Sequence, residues 1–209
     1  VAVGCPKPAA PGPVALPLPP HAGPVVAVFE NLHWERYEPA YVGAFVADLA
    51  ATARAFPAAL FLVKPHHAAR WLAKHPQALG DQPANLVLAD PAQPAWEPFT
   101  ASAIIASVDG VVTTPSTVAL DAARAGRPVA VAGYGLDLPV YEPLPILRST
   151  DDWARFVAGL AAPDDAMAAR LERFRPRHLV PGDAVPAILD QVAAGIAGGM
   201  TARPGPQVT

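Results

Sequence analysis

The sequence predicts an α/β chain built on a parallel sheet, and three features carry that prediction. Short apolar runs recur along the 209 residues, and between them lie longer stretches of helical character. The runs are continuous rather than alternating, as strands are when helices cover both faces of a sheet. A strand–helix–strand order demands right-handed crossovers, which lay successive strands parallel. Together these define a doubly wound, Rossmann-like parallel sheet, with no internal repeat.

Residues 1–24 hold eight prolines and cannot form a helix; they read as an extended linker or tether. "VVAVF" (25–29) is the first strand, followed by a helix over "YVGAFVADLAATARAF". "ALFLV" (59–63) precedes the short helix "HAARWLAKH", and "NLVLA" (85–89) precedes a helix near "EPFTASAIIASV". "GVVTT" (110–114) leads into a helix over 115–125, with Thr114 as its cap, Pro115 at its first position and Gly126 as its stop. "PVAVA" (128–132) and the weaker "LPILR" (144–148) complete the strands. Helices near 150–161, 164–174 and 184–197 follow, so residues 25–197 read as one domain and 198–209 as a frayed, disordered tail.

Bulk composition excludes several classes. The chain is long enough for one full domain and short for two. Half its residues are apolar, yet no run approaches the roughly 18 that a membrane span requires. A net charge of −3 offers neither a polybasic nucleic-acid face nor an acidic tail. The single cysteine, Cys5, allows no intrachain disulfide and fits a reducing cytosol. Its "AVGC" setting stands too near the start for a lipoprotein signal, and the opening Val reads as the start of a piece of something longer.

In an open parallel sheet, ligands bind beyond the carboxyl ends of the strands, at the switch point of strand order. The loops 30–36, 64–67, 89–98, 113–117 and 133–143 are therefore the places to search. Thr114, Ser116 and Thr117 stand where a strand hands over to a helix, and spare amides at such a place bind phosphate; the same residues also serve simply as caps. Lys64 and His66, with His67 beside them, can give charge-assisted hydrogen bonds to a pyrophosphate, or be solvated loop residues. Neighbouring histidines are not metal spacing, and no metal site is expected. Glu30, His33 and Glu35 offer acid/base or sugar contacts, and Tyr134, Asp137, Tyr141 and Glu142 could wrap a base or ribose; ordinary loop surface explains either set. No GxGxxG, Walker loop, GxSxG elbow or HExxH occurs, which argues against the standard NAD enzymes, P-loop NTPases, serine hydrolases and zinc proteases.

Four segments resemble one family. "LVKPHH" looks like a strand followed by Lys/Arg-x-His-Pro, and "VDGVVTTPSTVALDAARAGRPVAV" like a strand, hydroxyl-bearing turn, helix and Gly-x-Pro strand. "PGDAVPAILDQV" looks like a late Asp-Gly-x-Ala-Ser-x-x-Ile helix start, and "VAVGCPK" like a Gly-x-Pro link between two halves. This set resembles the carboxyl-terminal, nucleotide-binding half of GT-B-type transferases that build bacterial surface polymers: the CDP-glycerol glycerophosphotransferase-like and capsular polysaccharide transferase families. Three departures stand out: His67 replaces the proline, "TTPST" lacks the Asp-Tyr-Ser-Ser form, and "GDAVPAIL" inverts the Asp-Gly order with Pro186 for Ser. The second favours a sugar over glycerol phosphate as the transferred group.

The resemblance implies a domain that grips the diphosphate of a CDP-, CMP- or UDP-activated donor, with no cofactor besides that donor. His66, Lys64, Thr114, Ser116 and Thr117 would hold phosphate, and the 133–142 loop would lie near base or ribose. It further implies a polysaccharide or lipid-linked acceptor, an amino-terminal GT-B half outside these residues carrying the catalytic base, and a cytoplasmic place of work at or near the inner face of the membrane. The isolated chain is then catalytically incomplete. A UDP-sugar 2-epimerase-like enzyme and a non-catalytic nucleotide-binding module share the same expected fold.

Overall fold

A computed structural model describes residues 12–32, 35–162, 165–179 and 184–200. Its six strands are β1 (Val25–Glu30), β2 (Leu60–Pro65), β3 (Leu86–Leu88), β4 (Gly110–Thr113), β5 (Val129–Ala132) and β6 (Ile146–Leu147). The helices are α1 (Pro39–Ala55), α2 (Trp71–Lys74), α3 (Ala101–Ala106), α4 (Val118–Arg124), α5 (Thr150–Ala161), α6 (Asp165–His178) and α7 (Ala184–Met200). The strands form one sheet in the order β3-β2-β1-β4-β5-β6, and every pairing is parallel. The chain winds outward from β1 in one direction and from β4 in the other, which makes the β1–β4 junction the switch point.

The reason for the continuous apolar runs is visible in the burial. All six residues of β1 and all four of β4 and of β5 are buried, because both sheet faces are covered. Val26, Val28, Phe61, Val63, Val112 and Ala132 share one core with α1 and α5. There Phe45 meets Trp153 edge to face, with centroids 5.8 Å apart. Helices α3 and α4, which contact each other, arise from the crossovers of the other side.

Helix α4 starts later than the 115–125 expected. It opens at Val118, with Thr117 as its flanking residue, because the Pro115 carbonyl is turned toward Arg36 and Tyr37 and not toward the Ala119 amide. Its end is as the sequence predicts. Gly126 adopts φ +70°, its amide bonds to Ala123 O, and that of Arg127 reaches back to Ala122 O at 3.0 Å, a Schellman stop.

The proline-rich stretch from residue 12 to residue 24 forms neither helix nor strand. It is tied at both ends: Val14 N donates to Ser107 Oγ at 2.9 Å and Gly23 N to Ala58 O at 2.8 Å. A Cβ on Gly23 would stand 2.8 Å from that same carbonyl oxygen, so the close approach requires glycine. Helix α7 falls in a second compact unit, apart from residues 10–177. It carries exposed Leu189, Val192 and Ile196 at helical spacing. Cys5 and the "VAVGCPK" segment, the residues 181–183 of "PGDAVPAILDQV" and the segment 201–209 lie outside the described residues. No described helix is long and apolar enough to cross a membrane.

Candidate functional site

The turn that leaves β4 is the best-defined part of the carboxyl edge. Thr113, fully buried, gives its hydroxyl to Thr114 O at 2.8 Å and shares a 2.9 Å hydrogen bond with Ser116 Oγ. Ser116 Oγ also accepts from Val118 N at 3.3 Å. Thr114 is wholly buried; its amide donates to Phe29 O at 3.1 Å, and its hydroxyl has no partner among the described residues. Thr117 is exposed, and its hydroxyl caps nothing. Capping therefore accounts for Ser116 but not for Thr114 or Thr117.

Three side chains clamp this turn from outside. Arg36 Nη2 and the Tyr37 hydroxyl donate to Pro115 O at 3.3 and 3.5 Å, and the Tyr141 hydroxyl donates to Ser116 O at 3.3 Å. In a trans peptide the carbonyl and the following amide lie in one plane and point in opposite directions. Holding Pro115 O and Ser116 O therefore fixes the directions of the Ser116 and Thr117 amides. Among the described residues, neither amide donates a hydrogen bond. Two oriented donors at the switch point, unspent among the described residues, have the geometry with which backbone amides can receive an anion. Arg36 adds positive charge on the carbonyl side, with its guanidinium 5.8 Å from the centre of the Tyr37 ring.

On the other side of β1, the end of β2 presents a loop of basic residues. Lys64 is half-buried within the strand, His66 follows half-buried and His67 exposed, and the two imidazoles lie 4.4 Å apart. His66 Nδ1 meets Ala68 N at 3.3 Å. Arg70 occupies the left-handed region at φ 52°, ψ 47° and forks onto Asp90, at 2.7 Å for Nε–Oδ1 and 2.5 Å for Nη2–Oδ2. That hydrogen bond holds the Asp90 carboxyl below the usual carboxylate range, against its burial. Burial in turn lowers the Lys64 ammonium from its ordinary value, and the nearby Asp90 charge opposes that. Strand spacing of about 4.8 Å places the ends of β2 and β4 roughly 10 Å apart across β1.

Glu30 serves the architecture of this loop. Its side chain is 2 % exposed, and its carboxylate accepts from Leu32 N at 3.0 Å and from Leu72 N at 3.2 Å. Burial raises its pKa, while the amides of Leu32, Leu72 and Trp71 pull it down. Its backbone carbonyl also takes His66 N at 2.9 Å. Glu30 thus ties the start of α2 and the histidine loop to the end of β1. Glu35 is exposed at φ 52°, and His33 lies outside the described residues.

The loop after β5 divides in two. Tyr134 turns inward: its hydroxyl accepts from Trp153 Nε1 at 2.6 Å, and its ring meets Tyr41 edge to face at 5.5 Å. Burial raises its pKa, and its hydrogen bond to Asp48 adds to the rise. Asp137 and Glu142 are exposed, and half-buried Tyr141 reaches the β4 turn. The structure thus brings Ser116, Thr117 and Tyr141 together and gathers Lys64 with His66, while Tyr134 packs away from both. Arg36, Tyr37, Arg70 and Asp90 escaped the sequence reading, although Arg36 and Asp90 stand within two of the strand-end loops it singled out. Among the described residues, no three of His, Cys, Asp and Glu gather to hold a metal ion.

No protein-family model matches the chain, and no curated protein matches it in sequence. Solved structures do match in fold. The UDP-GlcNAc 2-epimerase of Neisseria meningitidis, bound to UDP-GlcNAc, aligns over 82% of this chain and 45% of its own at 12% identity, with a TM-score of 0.58. The S. aureus MnaA–UDP structure aligns over 84% of this chain and 47% of its own at 10% identity, with a TM-score of 0.61. The wall teichoic acid polymerase TagF, soaked with CDPG, aligns over 88% and 44% at 18% identity, with a TM-score of 0.53. The chain has the fold of one half of GT-B proteins. It spans less than half the length of these three structures.

Proposed function

We propose that the chain is the donor-binding half of a GT-B-type glycosyltransferase or glycerophosphotransferase of bacterial surface-polymer synthesis, gripping a nucleoside diphosphate-activated donor. One observation carries the reading: the Ser116 and Thr117 amides at the switch point have no acceptor among the described residues, and their peptide planes are pinned from the carbonyl side. In that role the amides hold a phosphate, and the Lys64 ammonium and the His66 imidazole offer further hydrogen-bond donors across β1. Asp137 and Glu142 border the place for base and ribose. As the bond to the transferred group breaks, charge grows on the leaving nucleoside diphosphate of a sugar donor, or on the leaving nucleoside monophosphate where glycerol phosphate is transferred, and donors already in place stabilise it without reorganising. The acceptor and the general base belong, in this reading, to the amino-terminal half.

A 2-epimerase-like activity draws support from the fold likeness to the Neisseria meningitidis structure. It requires several carboxylates free for proton transfer. Here Glu30 is committed to backbone amides and Asp90 to Arg70, which favours the transferase. Calorimetry with UDP, CDP, UMP and CMP tests the reading. The expected result is binding of one diphosphate, with the matching monophosphate at least tenfold weaker. Absence of heat with all four would leave a module that binds no nucleotide.

A further inference from the structure

The sheet ends at β6, and a cavity lies beside the outer edge of that strand. Backbone carbonyls point alternately to either side along a strand. Pro145 O and Leu147 O accept from Val131 N and Gly133 N, on the β5 side, at 2.9 and 2.8 Å. The amide and carbonyl of Ile146, between them, therefore face away from β5. The Arg148 amide shares that open side, and it donates to Asp152 Oδ2 at 2.9 Å. Neither backbone group of Ile146 has a partner among the described residues.

The cavity measures about 600 Å³ and lies between β6, α5 and α6. Asp152 borders it together with Ile146 and Leu147, which puts it on the open side of the strand. Phe156 from α5 and Met167 from α6 give it an apolar wall, and the small side chains of Ala162 and Ala166 leave it wide. Its charged members are Asp152, Arg155 and Arg170. The Asp152 carboxylate is spent on Arg155, on Ser149 Oγ at 3.0 Å and on the Arg148 amide. Arg170 is exposed and makes no ion pair or hydrogen bond among the described residues, so one positive charge is left over.

We propose that this cavity receives an extended acidic peptide segment of a partner protein, which pairs with Ile146 as a seventh strand and sets a carboxylate against Arg170. The chemistry of the edge selects that occupant. A lone phosphate or carboxylate would take the Ile146 amide and turn its own lone pairs on the Ile146 carbonyl; an apolar molecule would satisfy neither group. A peptide backbone carries a donor and an acceptor at the spacing of the next strand, about 4.8 Å away, and adds to an open sheet edge by these bonds. Side chains of the added strand that face α5 and α6 meet the apolar wall and the unspent guanidinium. No residue assigned to the donor borders the cavity, so this site stands or falls apart from the donor-binding reading.

The test selects displayed random peptides on the full 209-residue chain and titrates the synthesised winner by calorimetry. The winner is expected to carry an acidic residue. N-methylating the amide that meets Ile146 O should weaken it about tenfold, the order of one good hydrogen bond. The amides on either side point the other way and should tolerate the methyl group. Ala166→Trp, at an exposed position of α6, narrows the cavity and should weaken the peptide at least tenfold. Arg170→Glu should weaken it about two- to fivefold, an effect that fades in high salt. Arg173→Glu, exposed on α6 but not bordering the cavity, should change it less than twofold. A library that yields no winner would overturn the proposal. So would a winner displaced by UDP or CDP, or one that neither methylation nor the two cavity variants weaken. Should Ala166→Trp fail to fold, the methylation series decides alone.

Discussion

Replacing Thr117 by proline deletes one backbone donor and little else, which makes it the most direct probe of the β4 turn. Thr117 has φ −67°, within the range that the proline ring imposes. Its amide donates no hydrogen bond among the described residues, and its hydroxyl caps nothing, so the fold loses no described contact. Proline at a compatible position restricts the unfolded chain and stabilises by about 0.4–1 kcal/mol. An amide donating to a phosphate oxygen contributes about 1.5–3 kcal/mol. Its loss should weaken nucleoside diphosphate binding roughly 10- to 150-fold. Thr117→Ala keeps the amide and discards the hydroxyl, so it should bind far closer to the parent. Calorimetric titration of UDP and CDP into all three proteins, with thermal melts alongside, measures both quantities. A proline variant that melts at or above the parent and binds with unchanged affinity would refute anion binding by these amides.

Arg36 is exposed and bonds only the Pro115 carbonyl among the described residues, on the side of the peptide plane away from the donor amides. Arg36→Ala should therefore leave the melting temperature unchanged and weaken diphosphate binding by only about two- to fivefold, an effect that fades in high salt. Asp90 and Glu30 should give opposite pH signatures in urea unfolding. The Asp90 pKa is lowered in the fold, so its stabilisation is present above about pH 3.9 and lost as pH falls through the folded value; the stability gap between the parent and Asp90→Asn should shrink from pH 5 to pH 3. The Glu30 pKa is raised, so the fold binds the proton more tightly than the unfolded chain does. The parent should gain stability relative to Glu30→Gln as pH falls from 7 toward about 4.3. A Cβ on Gly110 would stand 2.4 Å from Leu160 Cδ1. Gly110→Ala should cost about 1–3 kcal/mol by urea midpoint, and adding Leu160→Ala to it should cost less than Leu160→Ala costs alone in the parent.

The strands were legible because the property that makes them strands is local. VVAVF, ALFLV and PVAVA are apolar at every position, and only a sheet covered on both faces buries such runs. The crossovers predicted parallel strands but not their order; the order β3-β2-β1-β4-β5-β6, and with it the switch point between β1 and β4, is set by pairings between distant segments. The cap of α4 was not legible, although Pro115 suits a first helical position. What moved the helix start to Val118 was the capture of the Pro115 carbonyl by Arg36 and Tyr37, residues nearly eighty positions away. The Arg70–Asp90 fork is hidden for the same reason: its members stand twenty residues apart on different crossovers. Glu30 was legible as a residue at the right edge and not as a tie, because nothing local announces that the first turn of α2 will lie over it.

These long-range contacts share a physical logic. Arg36 and Tyr37 come from the loop after β1, and Tyr141 comes from the loop after β5, so the β4 turn is held from both neighbouring strands. All three donate to carbonyls; none uses up an amide. The ordering of the Ser116 and Thr117 peptides is therefore met during folding, by contacts within the chain, and the amides that result are oriented before a ligand arrives. A loop ordered only by its ligand would lose that ordering entropy from binding itself. Across β1, the Glu30 carboxylate and carbonyl likewise fix backbone, at Leu72 N and His66 N. Support that acts on backbone from the rear, with donors and charges left to the front, is the arrangement electrostatic stabilisation of a leaving anion requires.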